Sequence, residues 1–345
     1  MEDHLTETAK EQLRRFCRQY LQLHHHTDIE FPSPEHLRTS SFQDCIYAKL
    51  YQEGAVKYSP PQRYQLRALK ELTRRIEASI TDWEEDGISD DLMNSLSSLL
   101  SSPIQPEATG SQVKSYVTYT VSALDTPTER EHATITLLES RNILSAGGVT
   151  GFRTWEAAMH LGNYLCANQS LVQGKHILEL GTGTGYLSIL CAKYLQAAHV
   201  IATDGSDDVV SSLSTNFHLN DLEDRNMEGK ELKWGHALIG SEHPQWNSGR
   251  PIDLVVASDV TYDGIHVALV ATFVELFDLY PNLKILIGST VRNEATYELF
   301  LTRCQNNKLS IEHVKYDMVE LKDQDGPFFP VLAPVKLCFI TRTKP

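Results

Sequence analysis

The chain lacks the features that mark membrane-spanning and disulfide-stabilised proteins. Over its 345 residues, no apolar run approaches the ~18 to 20 residues that cross a bilayer, so we expect no membrane partner. The six cysteines are scattered and form no Cys-x-x-Cys pair, which is typical of reduced thiols in an intracellular protein. The N-terminus, MEDHLTET, carries no apolar signal core. These absences together predict a cytoplasmic protein.

Basic residues are scarce relative to acidic ones. The chain has 31 Lys and Arg against 45 Asp and Glu, for a net charge of −14 at pH 7. Phosphate binding needs a basic face, so this balance counts against a nucleic-acid partner without excluding a local basic patch. It favours a positively charged protein surface or a lysine-bearing segment as the partner.

Three consecutive histidines, His24, His25 and His26, invite a metal interpretation. Successive positions on a helix point about 100° apart, so three neighbours cannot converge on one ion. A solvated helix end accounts for them better, and we predict no metal site.

The pattern of apolar residues changes along the chain. Residues 1–110 alternate amphipathic helical faces with proline-containing breaks, which predicts a helical N-terminal domain ending in a linker over Ile104–Gln112. Residues 116–121 and 134–138 alternate like strands, which predicts a β-hairpin or connector within residues 111–150. We interpret residues 151–345 as the main domain.

The main domain carries seven strand candidates. The first five are short runs separated by helical patterns, which predicts an α/β fold with a parallel sheet covered on both faces. The last two are joined without an obvious helix, only by a polar loop around residues 323–330. The candidates are Ile177–Leu180, His199–Thr203, Glu231–Trp234, Ile252–Ser258, Lys284–Gly288, Ile311–Tyr316 and Val335–Thr341.

A glycine-rich turn follows the first of these strands, within the stretch HILELGTGTGYLSIL. Glycines allow a sharp turn and let a ligand approach the backbone, and the helix that follows offers free N–H groups. Asp204 comes 23 positions after Gly181, close to the ~20-residue offset at which a carboxylate binds ribose hydroxyls. We therefore predict that Gly181, Thr182, Gly183 and Asp204 bind a nucleoside cofactor.

The residues around the turn indicate which nucleoside cofactor binds there. A dinucleotide fingerprint places a small third residue where this chain has Tyr186, which argues against a tightly seated pyrophosphate. The version Glu179-Leu-Gly-Thr-Gly-Thr-Gly185 resembles the first motif of class I, seven-β-strand, S-adenosylmethionine-dependent methyltransferases. A cationic sulfonium tolerates the nearby Glu179 carboxylate better than a diphosphate does. The resemblance implies S-adenosylmethionine and a Rossmann-like seven-stranded methyltransferase sheet with helices on both faces, preceded by the helical N-terminal domain.

Two tryptophans extend the resemblance. A Thr154-Trp155 helix start before this motif resembles the protein-lysine methyltransferases that modify non-histone proteins, in which the tryptophan lines the cofactor pocket. The same branch places the segment of Trp234 against the adenine ring, where an aromatic side chain stacks, and Ser258 at the adenosine edge. The alternatives are core packing for Trp155 and sheet packing for Trp234.

The segment Asp259-Val-Thr-Tyr262 resembles the Asp-x-x-Tyr signature of that branch and follows the fourth strand, at the sheet edge where ligands bind in open α/β folds. Nucleic-acid amino-methyltransferases carry Asp/Asn-Pro-Pro-Tyr there, and Val260 and Thr261 replace both prolines. We predict that Asp259 orients the substrate lysine through a carboxylate or backbone contact. Tyr262 is predicted to form a wall whose ring face favours a cationic amine.

A last segment narrows the resemblance. Thr290-Val-Arg-Asn293, with Gly151-x-x-Thr-Trp155 and the helical N-terminal region, resembles the methyltransferases that modify a lysine of translation elongation factor 2. The resemblance implies that protein as the partner, and we expect a monomeric enzyme. A methyltransferase acting on another protein, on RNA or on a small molecule stays open. A non-catalytic protein with this fold is a third alternative, but it would more often have lost a glycine, Asp204 or Asp259.

Overall fold

The computed structural model describes residues 4–103, 114–125, 132–140, 150–223, 226–236, 247, 249–262 and 264–343. These residues form two compact units. The first comprises Met1–Thr120 with Asp325–Phe328, and the second comprises Val121–Gln324 with Phe329–Pro345. The linker predicted over Ile104–Gln112 lies outside the described residues.

The first unit is mainly helical, as the sequence predicts for the N-terminal region. Its elements are α1 (Glu7–Leu21), α2 (Pro34–Leu37), α3 (Ser40–Leu50), α4 (Gln62–Ser79), α5 (Asp90–Ser101) and the strand β1 (Lys114–Thr120). The predicted apolar faces are buried because one side of each long helix packs into a common core that includes Phe16, Phe42 and Leu69. No helix in the described part of the chain is long and apolar enough to cross a membrane.

The three histidines lie just beyond Leu21, the last residue of α1. Across the described ranges, no group of three or more His, Cys, Asp or Glu side chains could hold a metal ion.

The second unit contains a seven-stranded sheet in the order β5-β4-β3-β6-β7-β9-β8, with helices between β3 and β4, between β4 and β5, and between β6 and β7. Its strands are β2 (Thr134–Ser140, outside this sheet), β3 (His176–Leu180), β4 (His199–Asp204), β5 (Met227–Glu231), β6 (Leu254–Ser258), β7 (Lys284–Thr290), β8 (Leu309–Val314) and β9 (Val335–Arg342). Its helices are α6 (Glu156–Ala167), α7 (Tyr186–Lys193), α8 (Asp207–Leu219), α9 (His266–Leu279) and α10 (Glu294–Asn306). Strands β3 to β7 are parallel, and β9 is antiparallel to both β7 and β8. The predicted fold class is therefore confirmed.

The strand predicted at Glu231–Trp234 is displaced. The chain pairs with β4 over Met227–Glu231, and Trp234 lies three residues past the end of β5. The reason is that β5 is an edge strand with the polar sequence MEGKE, none of whose residues is fully buried. β5 therefore lacks the continuous apolar run by which a buried strand is recognised in the sequence.

The strand register brings several chain segments to one edge of the sheet. Leu180 pairs with Thr203 on one side and with Ala257 on the other, so β3, β4 and β6 end side by side. The strand order reverses around β3, because the chain proceeds to β4 and β5 on one side before β6 pairs on the other. Ligands of open α/β sheets bind in the crevice at such a switch point, outside the carboxyl ends of the strands.

An asparagine of α8, Asn216, and the asparagine that follows the helix, Asn220, fix β2 against this edge. The Asn216 side-chain oxygen accepts the Leu138 N–H at 2.8 Å, and its amide donates to the Thr184 carbonyl at 2.8 Å. Asn220 exchanges two hydrogen bonds with the backbone of Thr136. These side chains satisfy backbone groups of a strand outside the main sheet, and they connect that strand to the glycine-rich turn.

Candidate active site

A cavity of about 950 Å³ opens at the carboxyl ends of the central strands. All nine site residues predicted from the sequence line it. They are Trp155, Gly181, Thr182, Gly183, Asp204, Trp234, Ser258, Asp259 and Tyr262. Segments separated by more than a hundred residues thus meet in one concave site of the size that binds small molecules.

The glycine-rich turn has the conformation and the crowding that require glycine. Gly181 has a φ of 68°, and a Cβ there would lie 2.9 Å from Val260 Cγ1 and 3.2 Å from Trp234 Cζ2. Gly183 has a φ of 54°, and its Cβ would lie 3.1 Å from the Gly151 carbonyl oxygen. L side chains rarely adopt this left-handed backbone region. The turn therefore forms a tightly packed surface against which a ligand can lie.

Glu179, on β3 behind the turn, is completely enclosed. One carboxylate oxygen accepts the Thr182 hydroxyl at 2.6 Å, the Ser188 N–H at 3.0 Å and a hydrogen bond from the Ser188 hydroxyl. Burial raises the pKa of Glu179 to about 7, and the hydrogen bonds from Ser188 and Thr182 oppose that rise. The acid thus ties the turn to the first turn of α7 and titrates near neutral pH.

Asp204 ends β4 and reaches back to the glycine-rich turn. Its carboxylate accepts the Gly183 N–H at 3.2 Å and the Ser206 N–H at 3.1 Å. Burial raises the pKa of Asp204, while these backbone hydrogen bonds act in the opposite direction. The remaining lone pairs of the two oxygens are available to hydroxyl donors. This acceptor beside a glycine-rich turn fits a ribose.

Trp155 and Trp234 line different parts of the cavity. The Trp155 indole N–H donates to the Thr150 carbonyl at 3.1 Å, and the guanidinium groups of Arg153 and Arg292 lie 5.1 and 5.3 Å from its ring centroid. Trp234 lies against Gly181, and its indole N–H is buried with no hydrogen-bond partner among the described residues. A buried donor of this kind in a cavity wall fits a ligand that supplies an acceptor.

Asp259 follows β6 in a strained backbone conformation. Its φ of 52° is unusual for a residue other than glycine and costs about 1 to 2 kcal/mol. Its N–H donates to the Gly288 carbonyl at 2.9 Å, and its carboxylate accepts the Thr290 N–H at 2.8 Å and the Thr290 hydroxyl at 3.0 Å. Burial raises the pKa of Asp259, opposed chiefly by the hydrogen bonds from Thr290. The carboxylate is thereby held in one orientation.

Tyr262 is far more exposed to solvent than Asp259. Its side chain lines the cavity and is 52% exposed. Burial of its hydroxyl and the nearby Asp204 carboxylate both raise the pKa of Tyr262. The ring is thus a neutral aromatic surface at the solvent side of the cavity.

Two groups that shape the site are not evident from the sequence. Thr290 belongs to the Thr290–Asn293 motif, but no local sequence pattern indicates that it would hydrogen-bond Asp259. The second group is a buried chain in which the Thr154 hydroxyl donates to Glu139 at 2.6 Å and lies 2.7 Å from the Thr184 hydroxyl. These contacts join β2, the start of α6 and the glycine-rich turn. Of these residues, only Thr154 has a signal in the sequence, as part of the Thr154-Trp155 motif.

Comparisons with known proteins identify relatives of this chain. A family model described as lysine methyltransferase matches residues 135–307. The protein-lysine N-methyltransferase EFM3 of Chaetomium thermophilum is 49% identical, over 96% of this chain and 98% of that protein. EFM3 of Saccharomyces cerevisiae is 33% identical over 61% of this chain and 67% of its own length. Human protein-lysine N-methyltransferase EEF2KMT is 27% identical over 77% of this chain and 78% of its own length.

Proposed function

The chain belongs to the lysine methyltransferase family, and we propose that this protein-lysine N-methyltransferase modifies a lysine of translation elongation factor 2. Its methyl donor is S-adenosylmethionine. The proposed substrate is supported by the Thr290–Asn293 segment and by similarity to the human enzyme named EEF2KMT. The net charge of −14 favours a basic or lysine-bearing partner. We also propose that the enzyme acts as a monomer in the cytoplasm, without nucleic acid as a partner.

One observation carries the proposal. A single cavity contains both the acceptor suited to a ribose, Asp204, and the oriented carboxylate of Asp259 with the aromatic ring of Tyr262. A nucleoside-bound methyl donor and a lysine side chain can therefore be held in the same space. Methyl transfer depends on holding the nucleophile near ~3 Å from the methyl carbon, in line with the leaving group.

We assign the cofactor contacts to seven residues that line the cavity. Asp204 would bind the ribose hydroxyls, and the free indole N–H of Trp234 would meet an acceptor of the adenosine. The glycine-rich turn would carry the remaining contacts, with Ser258 and Trp155 closing the wall. When bound, the cofactor supplies a methyl group on a positively charged sulfur. The residues of this assignment are Trp155, Gly181, Thr182, Gly183, Asp204, Trp234 and Ser258.

Asp259 and Tyr262 act on the lysine. A lysine ammonium has no lone pair and a pKa of about 10.4, so it must lose a proton before it can react. Entry into a water-poor cavity disfavours the charged form, and the proton can leave to solvent. Asp259 then accepts a hydrogen bond from the neutral amine on a lone pair that Thr290 does not use. Tyr262 flanks the amine and limits its movement.

The test is methyl transfer from labelled S-adenosylmethionine, first in a cell extract and then with purified elongation factor 2. We expect a labelled band of the size of that factor and a methylated lysine by mass spectrometry of the purified protein. The Asp204→Ala variant is the matched control, because it removes the cofactor contact and should give no label. Label on another protein would refute the proposed substrate, and label only in RNA or small solutes would refute the whole proposal.

A further inference from the structure

Arg292 bridges two carboxylates at the wall of the cavity. Its Nη2 lies 3.0 Å from Oε2 of Glu156, the first residue of α6, and 3.7 Å from Oδ2 of Asp259. The two carboxylate side chains are 14% and 11% exposed, respectively. Both carboxylates therefore face one guanidinium, whose own side chain is 53% exposed, and their burial makes its charge act on them more strongly than it would in water.

The two contacts of Arg292 differ in kind. The contact with Glu156 is a hydrogen bond, whereas the 3.7 Å separation from Asp259 is too long for one. The position of Asp259 is already set by the two hydrogen bonds from Thr290. Arg292 consequently acts on the charge of Asp259 more than on its orientation, and it leaves an acceptor position free.

We propose that Arg292 is a positioning residue that acts through Asp259. Anchored on Glu156, it keeps the Asp259 carboxylate ionised so that the carboxylate can accept the substrate amine. This inference rests on the role proposed above for Asp259. Glu156 opposes this effect of Arg292, because its negative charge disfavours ionisation of Asp259 whenever the guanidinium is absent.

The charged groups that face Asp259 come from two elements. Arg292 follows β7 and lowers the pKa of Asp259, and Glu156 at the start of α6 raises it. Tyr262, on the same loop as Asp259, has a raised pKa and is neutral near pH 7. Removing the arginine alone thus leaves two carboxylates repelling each other, whereas removing Arg292 and Glu156 together removes both opposing charges.

The test compares wild type with Arg292→Gln, Glu156→Gln and the double variant. We expect Arg292→Gln to raise the pKa of Asp259 by about one unit, since an opposite charge at this range typically shifts a carboxyl by one to three units. The double variant should lie closer to wild type than Arg292→Gln does, because loss of Glu156 removes a charge that raises the pKa of Asp259. Arg153→Gln is the matched control, since Arg153 also lies over Trp155 and 3.8 Å from Glu156 but has no ion-pair contact with Asp259.

Two readouts separate this inference from the proposed substrate. The first is a carbon-13 NMR titration of the side-chain carboxyl of Asp259, assigned by its loss in Asp259→Asn, which requires no substrate. The second is the pH dependence of kcat/KM on elongation factor 2, whose acidic limb should move upward by the same amount in Arg292→Gln. If wild type fails to methylate that factor, the proposed substrate fails while the titration still decides the role of Arg292.

The affinity for the cofactor shows whether Arg292 acts through Asp259 or has a purely structural role in the cavity wall. Arg292→Gln should bind S-adenosylmethionine within about threefold of wild type, because Arg292 acts through Asp259. An unchanged Asp259 pKa in Arg292→Gln, or a double variant as perturbed as the single one, would overturn the inference. Arg292 would then matter through its contacts with Glu156 and Trp155.

Discussion

Glu179→Gln should remove a pH dependence of stability that the buried acid imposes on the folded protein. The unfolded chain releases the Glu179 proton near the ordinary value of 4.5, whereas burial keeps it bound in the folded protein up to a pKa of about 7. Folding therefore takes up a proton between these values. The stabilisation by that proton is fully present below pH 4.5 and is lost as the pH rises through 7.

The separation of the two pKa values sets the size of the effect. At 1.36 kcal/mol for each unit, a rise from 4.5 to about 7 corresponds to about 3 kcal/mol of unfolding free energy. The residue is wholly buried, so solvent screening does not reduce this figure. The neutral amide of glutamine can still accept from Thr182 and Ser188, so the variant should keep the turn and lose the titration.

The assay is urea denaturation followed by tryptophan fluorescence at a series of pH values from 4.5 to 8. Subtracting the two curves isolates Glu179, because every other titrating group is common to both proteins. Glu298→Gln, at an exposed position on α10, serves as the matched control and should leave the pH dependence unchanged. Parallel stability curves for wild type and Glu179→Gln would refute the reasoning.

The remaining predictions concern the cofactor, the reaction and the support of β2. Asp204→Ala and Gly183→Arg should each weaken S-adenosylmethionine binding by about 100-fold or more in isothermal titration, through a lost acceptor and a blocked turn, respectively. Normal binding by either variant would contradict the proposed cofactor contacts. Asp259→Ala and Tyr262→Ala should lower turnover about tenfold or more while leaving cofactor affinity near normal, and full activity of either would contradict its assigned role. Asn216→Ala should destabilise the protein by about 2 kcal/mol in urea, because it leaves the Leu138 N–H and the Thr184 carbonyl without their partner. An unchanged midpoint would contradict that account.

Much of the fold was predictable because the central strands are buried on both faces. The segments β3, β4, β6 and β7 are short, continuous apolar runs, and their predicted bounds lie within two residues of the observed ones. β5 was misplaced because an edge strand does not need to be apolar. The apolar pattern of a sequence indicates which segments are buried, so it identifies central strands more reliably than exposed edge strands.

The candidate site was predictable where a residue's position follows from its own segment. Gly181 and Asp259 each follow a strand directly, Asp204 ends one, and parallel strands end at one edge of the sheet. Their meeting is therefore a consequence of chain order and hydrogen-bond register. Chain order and strand register do not predict which side chains of other elements hydrogen-bond these three residues.

By itself, the sequence determined the class of fold, the glycine-rich turn and nine of the residues that line the cavity. These follow from local conformational needs and from the burial of apolar strands. Tertiary structure alone decided that Thr290 holds Asp259, that Arg292 lies between Asp259 and Glu156, and that Asn216 supports β2. Those contacts depend on ångström-scale distances between segments far apart in the chain. Only the assembled packing of the sheet and its helices sets such distances.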